Sequence, residues 1–372
     1  MTKSLEIKNF STWFNEPAKI PFVISGPCSA ESFEQLLETA KEIAANGKVC
    51  ALRAGIWKPR TRPGSFEGVG VKGLKWLSEA GKITGLKTIT EVATPKHVEQ
   101  AIAQKIDCLW IGARTSSNPF SVQEIAEALT AIDIPVFVKN PVNPDINLWI
   151  GALERINKAG IIRLGAIHRG FYPFEKTVFR NIPKWELPIE LKLLFPNLPV
   201  ICDPSHIAGN RQFLREISQK ALDLNMDGLM IECHINPDEA LSDANQQISP
   251  NELKKLLEDL VYRKADSENR QFLEILDQLR NQIDSLDSQL LELLGRRMDI
   301  VEKIGEFKRK NDITILQLRR WENILKTRTE WGQKLGLDNE LIKQMLEIIH
   351  KSSIKKQEFV MRRRNGEKHD DC

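Results

Sequence analysis

Residues 199–206 read PVICDPSH, a short apolar run that ends abruptly in polar side chains. Seven similar runs occur between residues 20 and 235, and stretches of helical character separate them. They are Ile20–Ser25, Val49–Ala54, Lys87–Val92, Cys108–Ala113, Pro135–Asn140, Ile162–Arg169 and Gly228–His234. Continuous apolar strands between helices predict a parallel sheet with both faces covered. Eight such strands in roughly 250 residues predict an α/β protein with a (β/α)8 TIM barrel.

A doubly wound open sheet is the alternative architecture. It fits less well, because no G-x-G-x-x-G sequence follows the first run. The chain of 372 residues is long enough for two domains, and its 41% hydrophobic and 28% charged content is ordinary for a soluble protein. A net charge of +3 argues against a general nucleic-acid or membrane role.

The six cysteines are scattered and form no C-x-x-C pair, which is typical of a cytoplasmic protein with reduced thiols. The sequence shows neither an apolar N-terminal signal segment nor an apolar run of membrane-spanning length. We therefore expect a cytoplasmic protein that binds no membrane and no nucleic acid.

The sequence changes character near residue 264, where the polar segment KADSENR (264–270) indicates a linker. Beyond it, apolar residues recur at spacings of four and three: Phe272, Leu276, Leu279, Ile283, Leu286, Leu290 and Leu293, then Ile300, Ile304 and Phe307. This pattern predicts one helix of about 38 residues. Two shorter helices should follow near 315–332 and 338–358. We predict a barrel domain over 1–263, an all-α helical domain over 264–361 and a disordered charged tail over 362–372.

The ends of the predicted strands carry two sets of chemically active side chains. A cationic set comprises Arg53, Lys58, Arg60, Arg114, Lys139 and Arg169, and a mixed set comprises Cys28, His206, Glu232 and Asp243. In a barrel the carboxyl ends of the strands share one face, so each set should converge. Guanidinium groups match phosphate and carboxylate anions, and a thiol with an imidazole and carboxylates suits a divalent transition metal. Each residue alone has a simpler structural explanation, but the recurrence favours a site.

The segments GPCSAE, KPRT, GAR, the lysine of the fifth run, HRG, DPSH and IECH followed by ALSD resemble, in this order, type I beta 3-deoxy-D-arabino-heptulosonate-7-phosphate (DAHP) synthase. The resemblance spans about residues 20–260. It implies condensation of phosphoenolpyruvate with erythrose 4-phosphate. The sister family that makes the eight-carbon Kdo phosphate resembles the KPRT segment less and is a minor alternative.

The same resemblance implies a role for each matched residue. Cys28, His206, Glu232 and Asp243 would hold a divalent metal ion (Mn, Fe, Co or Zn). Arg53, Lys58, Arg114, Lys139 and Arg169 would bind phosphoenolpyruvate, while Arg60 and Thr61 would position erythrose 4-phosphate. We expect Lys58, Lys139 and His206 to be catalytic, and Glu91, Lys139 and His206 are the candidates for proton transfer.

The predicted long helix places Arg297 inside its apolar seam, where an arginine costs stability unless it meets an anion. Lys308 lies eleven residues on, about 16 Å along the axis on nearly the same face. Two such cations could bracket a small dianion. Arg280 is about 25 Å from Arg297 along the helix, so a second chain would have to bring it to this site. A structural ion pair for Arg297 is the alternative.

The helical segment resembles the AroQ class of chorismate mutase through LRNQIDSLDSQLLELLGRRM, IGEFK, Arg320, Ser353 and Gln357. The resemblance implies an intertwined homodimer that rearranges chorismate to prephenate. It assigns substrate binding to Arg280, Arg297, Lys308, Gln317, Arg320, Ser353 and Gln357, with Lys308 and Gln357 as the catalytic donors.

The sequence departs from that family at two positions. The family often has aspartate where Gln317 stands, and glutamate directly after the arginine, where Trp321 stands. A helical domain that only oligomerises or senses a ligand is therefore the alternative. We also expect prephenate or chorismate, bound at the helical domain, to inhibit the synthase.

Overall fold

The computed structural model describes residues 4–14, 21–58, 64, 66–174, 177–263 and 267–362. The predicted substrate-binding residues Arg60 and Thr61 lie outside the described residues, as do 264–266 of the predicted linker and 363–372 of the predicted tail. The chain separates into two compact units, Met1–Ala265 and Asp266–Cys372. Within the described residues, none of the helices combines the length and the apolar character that crossing a membrane would require.

Eight parallel strands close into a barrel in sequence order, which confirms the predicted barrel and rules out the open sheet. They are β1 Phe22–Gly26, β2 Ala51–Arg53, β3 Lys87–Val92, β4 Cys108–Ile111, β5 Val136–Lys139, β6 Leu164–His168, β7 Val200–Cys202 and β8 Gly228–Glu232. The predicted bounds hold for β3, whereas β1 is shifted toward the carboxyl end and the other six strands are shorter than predicted. Their ladders stop early because the polar residues beyond them already belong to loops.

Ten α-helices belong to the barrel unit in its described part. They are α1 Phe33–Ala45, α2 Val71–Thr84, α3 Pro95–Ala103, α4 Ala113–Ser116, α5 Pro119–Ala128, α6 Ile146–Lys158, α7 Glu186–Leu194, α8 Pro204–Ala208, α9 Leu214–Asp223 and α10 Pro250–Asp259. Several starts are encoded locally: the side chains of Ser32, Thr94 and Asp145 accept a hydrogen bond from a backbone N–H in the first turn that follows.

Aromatic side chains close the amino-terminal end of the barrel. Phe10 packs edge-on against Trp13 at 4.8 Å between ring centroids, and Trp13 lies 5.4 Å from Phe137 of β5. Both belong to a buried cluster with inward-facing side chains of the strands, including Phe22 and Met230. Each buried aromatic side chain of this kind contributes about 2–3 kcal/mol. This end of the barrel is therefore packed core, and the polar strand ends lie at the opposite end.

The second unit consists of α11 Arg270–Lys310, α12 Leu318–Lys334 and α13 Asn339–Arg362. The predicted long helix is confirmed and runs for 41 residues. Helix α13 packs against α11 around Val301 and Gly305, with Gln357 and Val360 buried opposite. A Cβ at Gly305 would lie 3.3 Å from Gln357 Cγ and 3.3 Å from Val360 Cβ, so glycine permits this close approach. Most apolar residues of the α11 seam remain exposed, including Leu279, Ile283, Leu286, Leu290 and Leu293.

Candidate active sites

A cavity of about 440 Å³ lies at the carboxyl ends of the barrel strands. Five cationic side chains line it: Lys58, Arg114, Lys139, Arg169 and Arg180. Glu91, His206, Asp243, Asn181 and Tyr172 form most of the remaining wall. Four of the six predicted cations therefore meet in one cavity. Such a concentration of positive charge favours ligands with more than one negative charge.

Three of the four predicted metal ligands lie together beside this cavity. One ligand atom each from Cys28, Glu232 and Asp243 falls within 4.8 Å of the others. Strand pairing explains part of this geometry, because β1 and β8 are neighbours and Gly26 pairs with Glu232. His206 Nε2 lies 3.8 Å from Glu232 Oε1, so the fourth predicted ligand borders the same cluster.

The cluster has the donor chemistry of a divalent transition-metal site. Glu232 Oε1 is buried and accepts no aligned hydrogen bond from the described residues, although Arg53 Nη2 lies 3.0 Å away. Burial and the charge of Glu232 raise the pKa of the Cys28 thiol to about 12. Lys58 Nζ donates to Cys28 Sγ at 2.9 Å and brings positive charge to the cluster. One thiol, one imidazole and two carboxylates fit such an ion.

Asp243 adopts a left-handed backbone conformation, with φ of 48°. Its Oδ1 accepts a hydrogen bond from Arg180 Nη1 at 3.1 Å, and its Oδ2 accepts one from Cys28 Sγ at 3.3 Å. A non-glycine residue in this region is uncommon, and such strain concentrates at functional sites. The backbone is therefore strained at Asp243, and this conformation directs the carboxylate toward Cys28.

Asp203 links two predicted site residues from beneath the cavity. Its buried carboxylate accepts a hydrogen bond from Lys139 Nζ at 2.7 Å and lies 2.8 Å from His206 Nδ1. It also caps α8 by accepting from the backbone N–H of His206. Burial opposes ionisation of Asp203, but the adjacent His206 and Lys139 hold its pKa well below the usual range. The carboxylate thus fixes the ring of His206 with Nε2 toward Glu232.

Arg53 lies under the cavity rather than in its wall. Its guanidinium is fully buried, pairs with Glu232 at 3.0 Å and stands 5.0 Å above the ring of Trp110. Trp110 Nε1 in turn donates to Glu91 Oε2 at 3.0 Å. The position of Glu91 depends on Gly112, where a Cβ would meet Glu91 Oε1 at 2.1 Å. This layer holds Glu91 and Glu232 in fixed orientations.

The loop between β6 and α7 contributes residues that sequence reasoning missed. Arg180 Nη1 donates to Gln246 Oε1 at 2.7 Å, and Gln246 Nε2 donates to Glu232 Oε2 at 2.6 Å. Asn181 Oδ1 accepts from Arg169 Nη1 at 2.7 Å. No periodic pattern marks this loop, so its sequence gave no signal. Asp203 was visible in the DPSH segment, but no role was assigned to it.

Neighbouring positive charges in the cavity wall affect the pKa of Arg169. Burial, with the charges of Arg180 and Arg114, lowers the pKa of Arg169 to about 10, and Asp203 opposes this shift. Burial also lowers the pKa of His206, which favours the neutral imidazole that a metal ion requires.

In the helical unit, three predicted mutase residues meet between α11 and α13. Arg297 Nη1 donates to Ser353 Oγ at 2.7 Å. Gln357 is buried one turn of α13 beyond Ser353, on the same face of that helix. Lys308 lies one turn beyond Gly305, where its Nζ donates to the carbonyl of Ile315. The alternative of a structural ion pair for Arg297 is not among the described contacts, in which its partner is the hydroxyl of Ser353.

The other predicted mutase residues stand apart. Gln317 occupies the N-cap position of α12 and makes no side-chain cap, and it is exposed, as is Arg320. Arg280 is exposed and lies 3.6 Å from Asp277 on its own helix. A single chain therefore brings together only part of the predicted set.

Comparison with known proteins finds a family match for each of the two units. A model of the DAHP synthetase I family matches residues 18–267. The chain belongs to the DAHP synthetase I family. A second model, of chorismate mutase type II, matches residues 279–358. The synthase barrel and the mutase domain together support a bifunctional shikimate-pathway enzyme, which confirms the predicted activities.

The relatives of the synthase barrel include two kinds of aldolase. The phospho-2-dehydro-3-deoxyheptonate aldolase of Thermotoga maritima is 32% identical over 238 residues, 64% of this chain and 68% of the relative. The 2-dehydro-3-deoxyphosphooctonate aldolase of Nitratidesulfovibrio vulgaris is 27% identical over 260 residues, 64% of this chain and 90% of the relative. The heptonate aldolase has the higher identity to this chain, 32% against 27%.

Solved structures agree with this assignment. The crystal structure of the Thermotoga maritima DAHP synthase has 32% sequence identity and a TM-score of 0.58, over 64% of this chain and 67% of that one. A truncated form of the Thermotoga enzyme gives 28% identity and a TM-score of 0.55, over 64% of this chain and 84% of that one.

Proposed function

We propose that the synthase binds phosphoenolpyruvate and erythrose 4-phosphate in the barrel cavity and needs a divalent metal ion there. The observation that carries this proposal is the meeting of five cationic side chains with the cluster of Cys28, Glu232 and Asp243. Both substrates are anionic and repel each other. A cationic wall offsets that repulsion and orients the two reacting carbons.

Lys58, Arg114, Lys139 and Arg169 are the proposed phosphoenolpyruvate ligands, because their side chains line the cavity. Arg53 is also proposed, although its buried ion pair with Glu232 gives it a second role in orienting that carboxylate. Arg60 and Thr61 remain the proposed contacts for erythrose 4-phosphate.

Cys28, His206, Glu232 and Asp243 would hold the metal ion, and their donor set is compatible with Mn, Fe, Co or Zn. When bound, the ion supplies a Lewis acid that polarises the aldehyde oxygen of erythrose 4-phosphate. Asp203 prepares the site by occupying Nδ1 of His206, which leaves Nε2 as the ligand atom.

The reaction joins C3 of phosphoenolpyruvate to the aldehyde carbon of erythrose 4-phosphate. The former aldehyde oxygen takes up one proton, and water adds at C2 with loss of one proton. The bond from C2 to the phosphate oxygen then breaks, the remaining hydroxyl proton leaves with phosphate, and C2 becomes a ketone. Lys139 is the proposed proton donor, because Asp203 fixes its ammonium group at the cavity wall. Glu91 and His206 are the other titratable groups within reach of the cavity.

Metal removal from the full chain tests this proposal. After chelation, verified by elemental analysis, we expect synthase activity to fall to background and to return when Mn²⁺ is added, while mutase activity persists. Asp243→Asn should lower synthase activity even with excess metal. Asp238→Asn is the matched control, because Asp238 is an exposed acid of the same loop that pairs with Arg211. Full synthase activity in metal-free protein contradicts the proposal.

For the mutase domain, we propose that Arg297, Lys308, Ser353 and Gln357 hold chorismate in its reactive conformer. This pericyclic rearrangement needs no nucleophile. Cations on the two carboxylates and donors near the ether oxygen are sufficient. Gln317 and Arg320 are proposed to close over the substrate from α12.

We propose that two chains associate through the exposed seam of α11 and that Arg280 reaches the site of the partner. The seam alternates spacings of four and three, a pattern that packs against a second helix. Sedimentation should give a dimer for the full chain, and Leu286→Glu should give monomers with little mutase activity. Ser285→Glu, at the neighbouring exposed position, is the control. A dimer that survives Leu286→Glu with full activity contradicts this interface.

Prephenate or chorismate, bound at the mutase domain, is proposed to inhibit the synthase. Adding prephenate to the synthase assay should lower its rate in the unsubstituted chain and leave it unchanged in Arg297→Met. An unchanged rate at saturating prephenate in the unsubstituted chain removes this proposal.

A further inference from the structure

Trp321 and His350 form a parallel ring stack in the mutase domain. Their ring centroids lie 3.8 Å apart, and the two planes differ by 11°. Trp321 lies in the first turns of α12, and His350 lies near the middle of α13. Both side chains are half-buried, so part of the pair is accessible from solvent.

The stack lies beside the proposed mutase residues. His350, Ser353 and Gln357 are spaced i, i+3 and i+7, which places them on one face of α13. Ser353 accepts the hydrogen bond from Arg297 at 2.7 Å. Burial, followed by the positive charge of Arg297, lowers the pKa of His350, which indicates a neutral imidazole close to that guanidinium.

The chemistry of the substrate leaves a role for this imidazole. Chorismate carries a ring hydroxyl, and the imidazole of His350 lies near the guanidinium of Arg297 that is proposed to bind this substrate. A neutral histidine has one N–H donor and one acceptor nitrogen, which is what a hydroxyl can use. Among the residues that the structure describes, no hydrogen bond occupies either ring nitrogen of His350. Stacking uses the faces of the ring and leaves its edge free.

We propose that His350 hydrogen-bonds to the ring hydroxyl of chorismate and that Trp321 positions the imidazole for this contact. The inference rests on the mutase site proposed around Arg297. His350 is thus a specificity-determining residue, whereas Trp321 acts through it. A neutral imidazole adds no negative charge beside a dianionic substrate.

The test compares chorismate with an analogue that lacks the ring hydroxyl, using the full chain. His350→Ala should lower kcat/KM for chorismate about tenfold, the value of one hydrogen bond, and leave kcat/KM for the analogue unchanged. Trp321→Ala should behave in the same way. Trp321→Phe, which can still stack, should keep most of the discrimination between the two substrates.

Trp331→Ala is the matched control, because Trp331 lies on the same helix but is exposed. It should change neither substrate. His350→Gln keeps a donor and an acceptor at the position and should recover part of the discrimination, even if His350→Ala proves poorly folded by circular dichroism.

Two outcomes overturn the inference. An equal loss on both substrates in His350→Ala and in Trp321→Ala would assign the stack to helix packing alone. An unsubstituted chain without mutase activity would remove the proposed mutase site and this inference with it. Loss confined to chorismate, with recovery in His350→Gln, supports it.

Discussion

The two active regions hold their charged groups in different ways. In the barrel, Arg53 meets Glu232 and Lys139 meets Asp203, and all four side chains are buried. In the mutase domain, the hydrogen-bond partner of Arg297 among the described residues is the hydroxyl of Ser353. The barrel site is assembled by one chain before any ligand arrives. Among the described residues, Arg297 and Lys308 have a hydroxyl and a backbone carbonyl as their hydrogen-bond partners, and completion of the mutase site is proposed to depend on substrate and on a second chain.

The sharpest way to test this difference is to remove a buried carboxylate from the barrel. Glu232→Gln should lower synthase activity roughly 10³-fold, because a proposed metal ligand and the partner of Arg53 are lost together. It should also destabilise the barrel by about 3–5 kcal/mol, since Arg53 remains buried without its counter-charge. Kinetic assays and denaturant unfolding measure both effects, while mutase activity should not change. Glu239→Gln, at a nearby acid, is the control.

The corresponding change in the mutase domain is Arg297→Met. We expect mutase activity to fall roughly 10²–10³-fold, because a cation proposed to hold the dianionic substrate is gone. Stability should change little, since the guanidinium is only partly buried and pairs with a neutral group. The adjacent Arg296, which is exposed and lies 3.9 Å from Glu292, supplies the control variant Arg296→Met. A large loss of stability in Arg297→Met would contradict the contrast between the two sites.

Asp203→Asn separates the positioning of His206 from metal ligation itself. The variant keeps the size of the side chain but weakens its hold on His206 and Lys139. Affinity for Mn²⁺, measured by calorimetry, should fall about 10–100-fold. The exposed Asp223, replaced in the same way, should have no effect on that affinity. Unchanged affinity for Mn²⁺ in Asp203→Asn would show that the imidazole is held by other contacts.

The smallest expected effect concerns the dependence of barrel stability on pH. Burial, with the charge of Arg169, lowers the pKa of His168 from 6.5 to about 3. The folded barrel therefore excludes a proton that the unfolded chain binds below pH 6.5. The free energy of unfolding should fall by about 2 kcal/mol between pH 7.5 and pH 5 from this group. Replacing His168 with Asn should flatten the slope by that amount, and parallel slopes would refute the assignment.

The barrel could be predicted because its strands are buried on both faces. Such strands need continuous apolar runs, and the residues just beyond them, such as Cys28 and Lys139, fall at one end by topology alone. The long helix could also be predicted, because apolar residues recur along it at alternating spacings of four and three. The strand ends were less accurate, since hydrogen bonding across the ladder, rather than side-chain character, decides where a strand stops.

The network behind the site could not be predicted. Asn181 Nδ2 donates to the backbone oxygen of His206 at 2.6 Å, and Arg180 reaches Asp243 across 63 positions of sequence. These contacts depend on how an irregular loop folds, which no periodic pattern records. The stack of Trp321 on His350 was hidden for a related reason. It joins two helices whose facing surfaces become known only when the helices are packed.

Gly305 sets how closely helices α11 and α13 approach each other in the mutase domain. A single methyl group there would press on Gln357 and Val360 and force α11 and α13 apart by a few tenths of an ångström. Such a change would shift Gln357 and Ser353 of α13 relative to Arg297 and Lys308 of α11 without altering the charge of the site. A substitution at this position would thereby change the rate of the mutase reaction and leave the rate of the synthase reaction unchanged.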